Sequence, residues 1–280
     1  MKDKVVLITG GSAGVGKAAA LGLARLGAGL VLLSRDPDRA EQTRQEIAAA
    51  TGNERIRCLQ ADLAEWSSVR RAAEDFKERY PRLDVLMNCA GVLYPKRTVS
   101  AEGAEMTLAV EFLGHFLLTK VLLGLLKRSA PARILTVTGN AGPLRFARIH
   151  FDDLQLERGY NPLKAKLQAE LAKALFSMEL ARRLEGSGVT SNAFHPGLIR
   201  SRLIRNLPWV LRIPASIGVA LFGGETRTGV YLAASPEVEG ISGRLFERVG
   251  DERSVPVDGE AAARLWEIAE SLVGDTPSDR

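Results

Sequence analysis

Short apolar, β-branched runs alternate with longer stretches of helical periodicity along the whole chain. The runs 4–9, 30–34, 55–60, 83–87, 132–138, 188–194 and 244–247 read as strands. Most of them, such as 4–9 and 30–34, read as continuous apolar runs, which fits strands buried on both faces. Between them apolar residues recur at helical spacing, as in Ala18, Leu21, Leu23 and Leu26, or in Leu171, Ala174, Leu175, Met178 and Leu180. Strand and helix in strict alternation imply right-handed parallel crossovers, so an α/β fold with a doubly wound parallel sheet of about seven strands is expected. One segment breaks the alternation. Residues 198–223, apolar and punctuated by prolines, follow the sixth strand on the side where strands end, and ligands of open α/β sheets bind outside those ends. The segment is therefore expected to be a lid over a small apolar substrate, with packing on the core or on a second subunit as the alternative.

Composition narrows the picture. The 280 residues carry 38 Lys+Arg against 33 Asp+Glu, and 46% are hydrophobic, which is ordinary for a soluble globular chain. The net charge of +5 comes from scattered arginines without a basic block, so no nucleic-acid partner is expected. No repeat, low-complexity tract or linker divides the chain, and 1–280 is read as a single domain. Cys58 and Cys89 lie in apolar runs, where thiols serve as small hydrophobes. Met1-Lys2-Asp3-Lys4 passes directly into a short strand without a signal-peptide pattern, and a cytoplasmic location is expected. The doubtful apolar stretch 203–222 contains Arg205, Pro208, Arg212 and Pro214, so no membrane span is expected there.

The first strand runs into Thr9-Gly10-Gly11-Ser12-Ala13-Gly14-Val15-Gly16-Lys17 and a helix follows at once. Glycines at this point let backbone amides approach a pyrophosphate at a helix N-terminus, where the dipole favours negative charge. Gly10, Ser12, Gly14, Val15 and Gly16 are the candidate cofactor-binding residues of this loop. At the end of the second strand, an acidic residue would bond the ribose hydroxyls and repel a 2′-phosphate. Ser34-Arg35 stands there instead, and the planar cation of Arg35 favours NADP(H) over NAD(H), with Lys17 as a possible second cation.

These motifs resemble the short-chain dehydrogenase/reductase family, with its TGxxxGxG fingerprint and Rossmann-like fold. Further matches follow in order: Asp62-Leu63, similar to the family's adenine-contacting pair; Asn88-Cys89-Ala90-Gly91, similar to Asn-Asn-Ala-Gly; and His195-Pro196-Gly197, whose Pro-Gly turn contacts the nicotinamide end in the family. The resemblance thus adds Asp62, Leu63, Asn88, Ala90, Gly91, Pro196 and Gly197 to the cofactor candidates. Leu113-Gly114-His115-Phe116-Leu117-Leu118-Thr119, Phe151-Asp152-Asp153-Leu154 and Glu179-Leu180-Ala181-Arg182-Arg183-Leu184 resemble retinol-dehydrogenase-like members in particular. Family members usually form dimers or tetramers through their long helices, here 104–127 and 162–185, so a homo-oligomer is implied.

The same resemblance exposes a departure at the catalytic positions. In the family a Tyr donates a proton, a Lys lowers its pKa, a Ser holds the substrate oxygen and an Asn completes a water relay. Ungapped flanks place Glu111 at the Asn, Gly139 at the Ser, Lys166 at the Tyr and Glu170 at the Lys. Tyr160 and Lys164 also satisfy the Tyr-to-Lys spacing, but Asn161-Pro162 is an N-cap and first-turn pair that leaves Tyr160 outside the helix. Tyr160 and Thr138 remain candidates to replace the lost hydroxyls. Lys166 and Glu170 are four apart and face the same way, and Glu111 is expected to join them, giving two carboxylates and one ammonium able to act as acid or base. The alternative is drift to a solvated ion pair. The three histidines, His115, His150 and His195, have no metal-ligand spacing, and no metal is expected.

Three functions follow. One is an NADP(H)-binding enzyme of unconventional chemistry: reduction of a conjugated C=C or an iminium, or, with the cofactor bound as a structural element or absent, acid/base isomerisation, elimination or cyclisation. A second is a non-catalytic NADP(H)-binding sensor, and a third is a conventional ketoreductase with Tyr160 or Lys166 as proton donor. The apolar segment with Leu203, Ile204, Leu207, Trp209, Leu211 and Phe222 favours an enzyme, because a sensor needs no apolar chamber.

Overall fold

The computed structural model describes residues 1–197, 226–253 and 258–274. Seven parallel strands form one sheet: β1 (Val5–Thr9), β2 (Gly29–Ser34), β3 (Ile56–Gln60), β4 (Val85–Asn88), β5 (Ala132–Val137), β6 (Val189–Phe194) and β7 (Leu245–Arg248). Their order is β3-β2-β1-β4-β5-β6-β7, and a short antiparallel strand, β8 (Asp251–Arg253), adds to the β7 edge. The order reverses direction between β1 and β4, so the crevice above that switch point is the place for a ligand. Each expected strand lies within two residues of an observed one. The expected lid, 198–223, lies outside the described residues.

Helices α1 (Gly14–Arg25), α2 (Pro37–Thr51) and α3 (Trp66–Arg79) precede the two long helices α4 (Gly114–Arg128) and α5 (Pro162–Arg183). Then come α6 (Arg227–Ala234) and α7 (Gly259–Val273). The period of two along β1 assigns the layers: Val6 and Ile8 pack with Ala20, Leu23, Ile47 and Leu232 of α1, α2 and α6. Leu7 points the other way and joins Phe76, Phe116, Phe176 and Trp266 of α3, α4, α5 and α7. On that second face Phe116 and Trp266 meet edge to face with centroids 4.8 Å apart, and Arg183 stacks on Trp266 at 4.3 Å. Helix α7 therefore packs on α4 and α5 within the chain, and buries part of the surface expected to carry an oligomer interface. Met106–Arg128 is long and apolar enough to cross a bilayer, but 78% of its apolar stretch is buried in this core.

α4 is entered through a π-helical turn, Ala109–Leu113, all five residues of which are buried. Such a turn re-aims side chains that a regular helix would place elsewhere, and here it sets Glu111 towards α5.

Candidate nucleotide cleft and its charged end

Gly10 and Gly14 take φ of +63° and +51°, which side-chain-bearing residues rarely adopt. A Cβ on Gly10 would lie 2.9 Å from Ala90 Cα, and one on Gly16 would lie 2.5 Å from the Gly10 carbonyl oxygen. The glycines thus allow three backbone segments to close around one space. Helix α1 starts there with no side-chain cap and no acidic residue in its first turn, leaving its free amides to an anion. Ser12 and Ser34 hydroxyls, 2.8 Å apart, tie the loop to the end of β2.

The resulting cleft holds about 610 Å³ and runs from Gly10, Ser12, Gly14 and Val15, past Ser34, Arg35, Asp62 and Leu63, to Ala90, Gly91, Thr138, Gly139, His195, Pro196 and Gly197. Lys166, Glu170 and Lys173 line its far end. A larger cavity, about 780 Å³, opens between Arg133, Glu185 and Gly243 at the opposite ends of β5 and β6, and none of the expected site residues lines it. Two cofactor candidates stand behind the cleft wall rather than in it. Gly16 fits under Gly10, and buried Asn88 donates from Nδ2 to Thr119 at 3.3 Å.

At the end of β2, Arg35 is 66% exposed and lies 3.7 Å from Asp62. Asp36 caps α2 by accepting the Arg39 amide at 3.0 Å and pairs with the Arg39 guanidinium at 2.9 Å. The second cation here is therefore Arg39, which lines the cleft, while Lys17 is held by Glu46 on the neighbouring helix. In the sequence the only signal for Arg39 is its position in the first turn of α2, four residues after Arg35.

The charged end differs from expectation by one ammonium. Lys166 Nζ lies 2.5 Å from Glu111 Oε1 and 2.7 Å from Glu170 Oε1. Lys173 Nζ lies 2.8 Å from Glu111 Oε2 and 3.0 Å from Glu170 Oε2. Each ammonium bridges both carboxylates, so the four groups form a closed, electrically balanced ring. Residues 166, 170 and 173 recur at four and then three along α5, which puts them on one face. In the sequence Lys173 is a flank of the catalytic positions, and its spacing of seven from Lys166 is the signal that puts it on the same helical face. Glu111 has no exposed surface and does not line the cleft; its Oε1 also accepts the Val92 amide at 2.9 Å. It supports the ring from beneath instead of facing a substrate.

Burial pushes the Lys166 ammonium down, but Glu111 and Glu170 outweigh it and hold its pKa well above the ordinary lysine value. Burial likewise raises Glu170, and Lys173 and Lys166 overcome that, drawing its carboxyl down to about 2. Both groups are pushed away from neutrality, which is the opposite of what an acid or base working near pH 7 requires. The expected acid/base trio is thus a fixed ion-pair ring at rest.

The hydroxyl candidates are also accounted for. Thr138 Oγ1 donates to the Glu170 carbonyl at 2.7 Å, so its proton is engaged although it lines the cleft. Tyr160 donates to the Tyr94 carbonyl at 2.8 Å and is not part of the cleft. As the Asn161 cap predicts, Tyr160 precedes α5, with Asn161 accepting the Leu163 and Lys164 amides. Gly139 adjoins Glu170. Among the described residues no cluster of His, Cys, Asp and Glu could hold a metal ion.

The family pattern described as short chain dehydrogenase matches residues 4–150. Retinol dehydrogenase 14 of Mus musculus is 42% identical, the alignment covering 98% of this chain and 87% of the relative. Human retinol dehydrogenase 13 is 37% identical, with 99% and 87% covered. Among solved structures, an uncharacterized protein from Mycobacterium paratuberculosis superposes with a TM-score of 0.75 at 29% identity, covering 97% of this chain and 93% of that one. The Pseudomonas aeruginosa RhlG/NADP active-site complex has the same fold, with a TM-score of 0.69 at 23% identity over 94% of this chain and 97% of that one. With its glycine cradle, sheet order and these relatives in agreement, the chain belongs to the short-chain dehydrogenase/reductase family of NAD(P)-dependent oxidoreductases.

Proposed function

We propose that the protein is an NADP(H)-dependent oxidoreductase that carries Glu111, Gly139, Lys166 and Glu170 at the family's Asn, Ser, Tyr and Lys positions, with Lys173 closing the three charged groups into a ring, and that it reduces a C=C conjugated to a carbonyl in a small apolar substrate. The glycine cradle suits a pyrophosphate, Arg35 and Arg39 suit a 2′-phosphate, and Pro196-Gly197 closes the nicotinamide end. When bound, the nicotinamide supplies a hydride.

The observation that carries the reading is the state of Lys166. It stands where the family has its Tyr, lines the cleft with 21% of its side chain exposed, and is kept charged by two carboxylates. An ammonium has three N–H groups, and two are directed at Glu111 and Glu170, which leaves one for a substrate oxygen. A fixed positive donor stabilises the negative oxygen that develops when a conjugated carbonyl is reduced at carbon. Reduction of a simple ketone needs a proton on oxygen, and loss of the Lys166 proton would leave two carboxylates facing one ammonium. An iminium fits less well, since both carboxylates are already neutralised. The separate thiols Cys58 and Cys89 support a reducing compartment, the cytoplasm.

The test is NADPH and NADH titration by fluorescence, followed by NADPH oxidation with cyclohexenone and octenal. Lys166→Met should abolish turnover and leave NADPH affinity unchanged. Tight NADPH binding with no turnover of conjugated carbonyls would instead support the sensor reading, which the balanced charge of the ring favours.

A further inference from the structure

We propose that His195 delivers the proton that completes this reduction. The inference rests on the reading of the charged end given above and adds the group that reading lacks. Reducing a conjugated C=C breaks its π bond and forms two C–H bonds, one from the hydride of the reduced nicotinamide and one from a proton. The hydride goes to the carbon remote from the carbonyl, and the proton goes to the carbon beside it. When imidazolium gives that proton, the N–H electron pair stays on nitrogen, the ring is left neutral, and solvent restores the proton.

His195 reaches this role by elimination and by position. Lys166 and Glu170 are fixed in the ion-pair ring, and Lys173 is buried in it. The Thr138 hydroxyl is spent on the Glu170 carbonyl. Cys89 is buried, which pushes its thiol up to about 12. Histidine is the side chain suited to exchange protons near pH 7, and His195 is the histidine of the cleft. It follows the last residue of β6, directly before Pro196-Gly197, with its amide donating to Phe246 at 2.8 Å.

Its side chain carries a second sign. Nδ1 is buried without a hydrogen-bond partner among the described residues, although the residue as a whole is only partly buried. A buried polar atom left unpaired costs about 1–3 kcal/mol, so an unpaired ring nitrogen on a residue that lines a ligand cleft marks a side chain whose partner is wanted. The other two histidines show no such vacancy of role. His115 has both ring nitrogens engaged in the core, and His150 is outside the cleft. The charged groups of α5 that line the same cleft as His195 are Lys166, Glu170 and Lys173, and on β7 the residue after the Phe194–Phe246 pairing is Glu247. Glu247 accepts the Ala141 amide at 2.8 Å, which ties β7 to the segment after β5.

The experiment compares wild type, His195→Asn and His195→Gln in NADPH oxidation with cyclohexenone and octenal, from about pH 5.5 to pH 9. Both variants should lose roughly 100-fold or more in kcat, lose the pH-dependent limb that the wild type shows, and keep NADPH affinity within about twofold as read by fluorescence. A structural role would lower the rate equally at every pH and would move nucleotide affinity. Wild-type turnover retained within about threefold in both variants overturns the proposal and leaves the reading of Lys166 standing. Tight NADPH binding with no wild-type turnover of either carbonyl overturns that reading, and the role of His195 falls with it.

Discussion

The Thr9 hydroxyl lies 2.8 Å from Nε2 of His115, and this contact fixes the direction of a hydrogen-bond chain running from α4 to the wall of the cleft. His115 Nδ1 is 2.8 Å from the Glu111 carbonyl, which can only accept, so Nδ1 carries the ring proton. Nε2 then accepts from Thr9, whose oxygen in turn accepts the amides of Cys89 at 2.8 Å and Ala90 at 3.1 Å. The π-helical turn that aims Glu111 and the strand end that faces the nucleotide are therefore held by one imidazole. Burial lowers His115 to about 3, which keeps that imidazole neutral as the chain requires.

Acid should weaken the fold through this ring. Because the folded-state value is depressed from 6.5 to about 3, the unfolded chain takes up a proton first as pH falls. Stability is then lost below about pH 6.5, at up to roughly 1.4 kcal/mol per pH unit, until the folded form also protonates near 3. Glu170, held down at about 2, adds its own loss only below its ordinary value of 4.5. Urea unfolding at pH 7 and pH 5 should show a drop in wild type that is smaller in His115→Gln, and equal drops would contradict the assignment.

Removing Lys173 should cost more than removing a surface lysine. Its ammonium is 3% exposed and bridges two buried carboxylates, so Lys173→Met leaves Glu111 and Glu170 sharing Lys166 alone. Breaking such a buried ion pair typically costs about 3–5 kcal/mol, whereas removing both signs together can be nearly neutral. The double change Glu111→Gln with Lys173→Met should thus recover part of the loss. Thermal and urea unfolding of the two single variants and the double would measure the coupling, and additive losses would mean that the ring does not act as a unit.

The two arginines at the adenine end should govern the choice of nucleotide. Arg35 and Arg39 each rest against a carboxylate, Asp62 and Asp36, at the cleft edge. A charge-assisted hydrogen bond to phosphate contributes about 1.5–3 kcal/mol, so Arg35→Ala and Arg39→Ala should each weaken NADPH by roughly tenfold or more. NADH affinity should change little, and the NADPH preference should shrink as salt is raised. Parallel titrations decide it: equal loss for both nucleotides would place the arginines elsewhere than at the 2′-phosphate.

What the sequence made legible was periodic or glycine-dependent. The central strands β1, β2 and β4 follow apolar runs, the edge strand β3 mixes buried and exposed positions, and the cradle follows from Gly10 and Gly16, where a Cβ would have no room. β8 escaped notice because Asp251–Arg253 is three polar residues with no run to detect. The charged end was only half legible, since helical spacing joins Lys166 to Glu170 but says nothing of depth. That Glu111 is buried, that Lys173 balances the ring, and that Tyr160 turns to Tyr94 depend on the π-helical turn and on packing between helices. The sequence does not single out His195 either, because its Pro-Gly context accounts for its presence and an unpaired ring nitrogen has no sequence signature.

Two glycines, Gly16 behind the cleft wall and Gly139 in its lining, should respond differently to the same added methyl group. At Gly16 a Cβ would lie 2.5 Å from the Gly10 carbonyl oxygen and 3.0 Å from the Gly11 nitrogen, both backbone atoms that cannot step aside. Gly16→Ala should therefore open the loop and reduce affinity for NADPH by well over tenfold. At Gly139 the nearest atoms are Glu170 Cβ and Cγ at 3.6 Å and Leu144 Cδ2 at 3.7 Å, which is ordinary van der Waals contact. Gly139→Ala and Gly139→Ser should consequently fold and bind NADPH as the wild type does. Packing thus does not forbid a serine here, and a hydroxyl can be introduced at this position without disturbing the ring. If Gly139→Ser instead unfolds the protein, while Gly16→Ala binds nucleotide normally, the geometry assigned to both ends of the cleft is wrong.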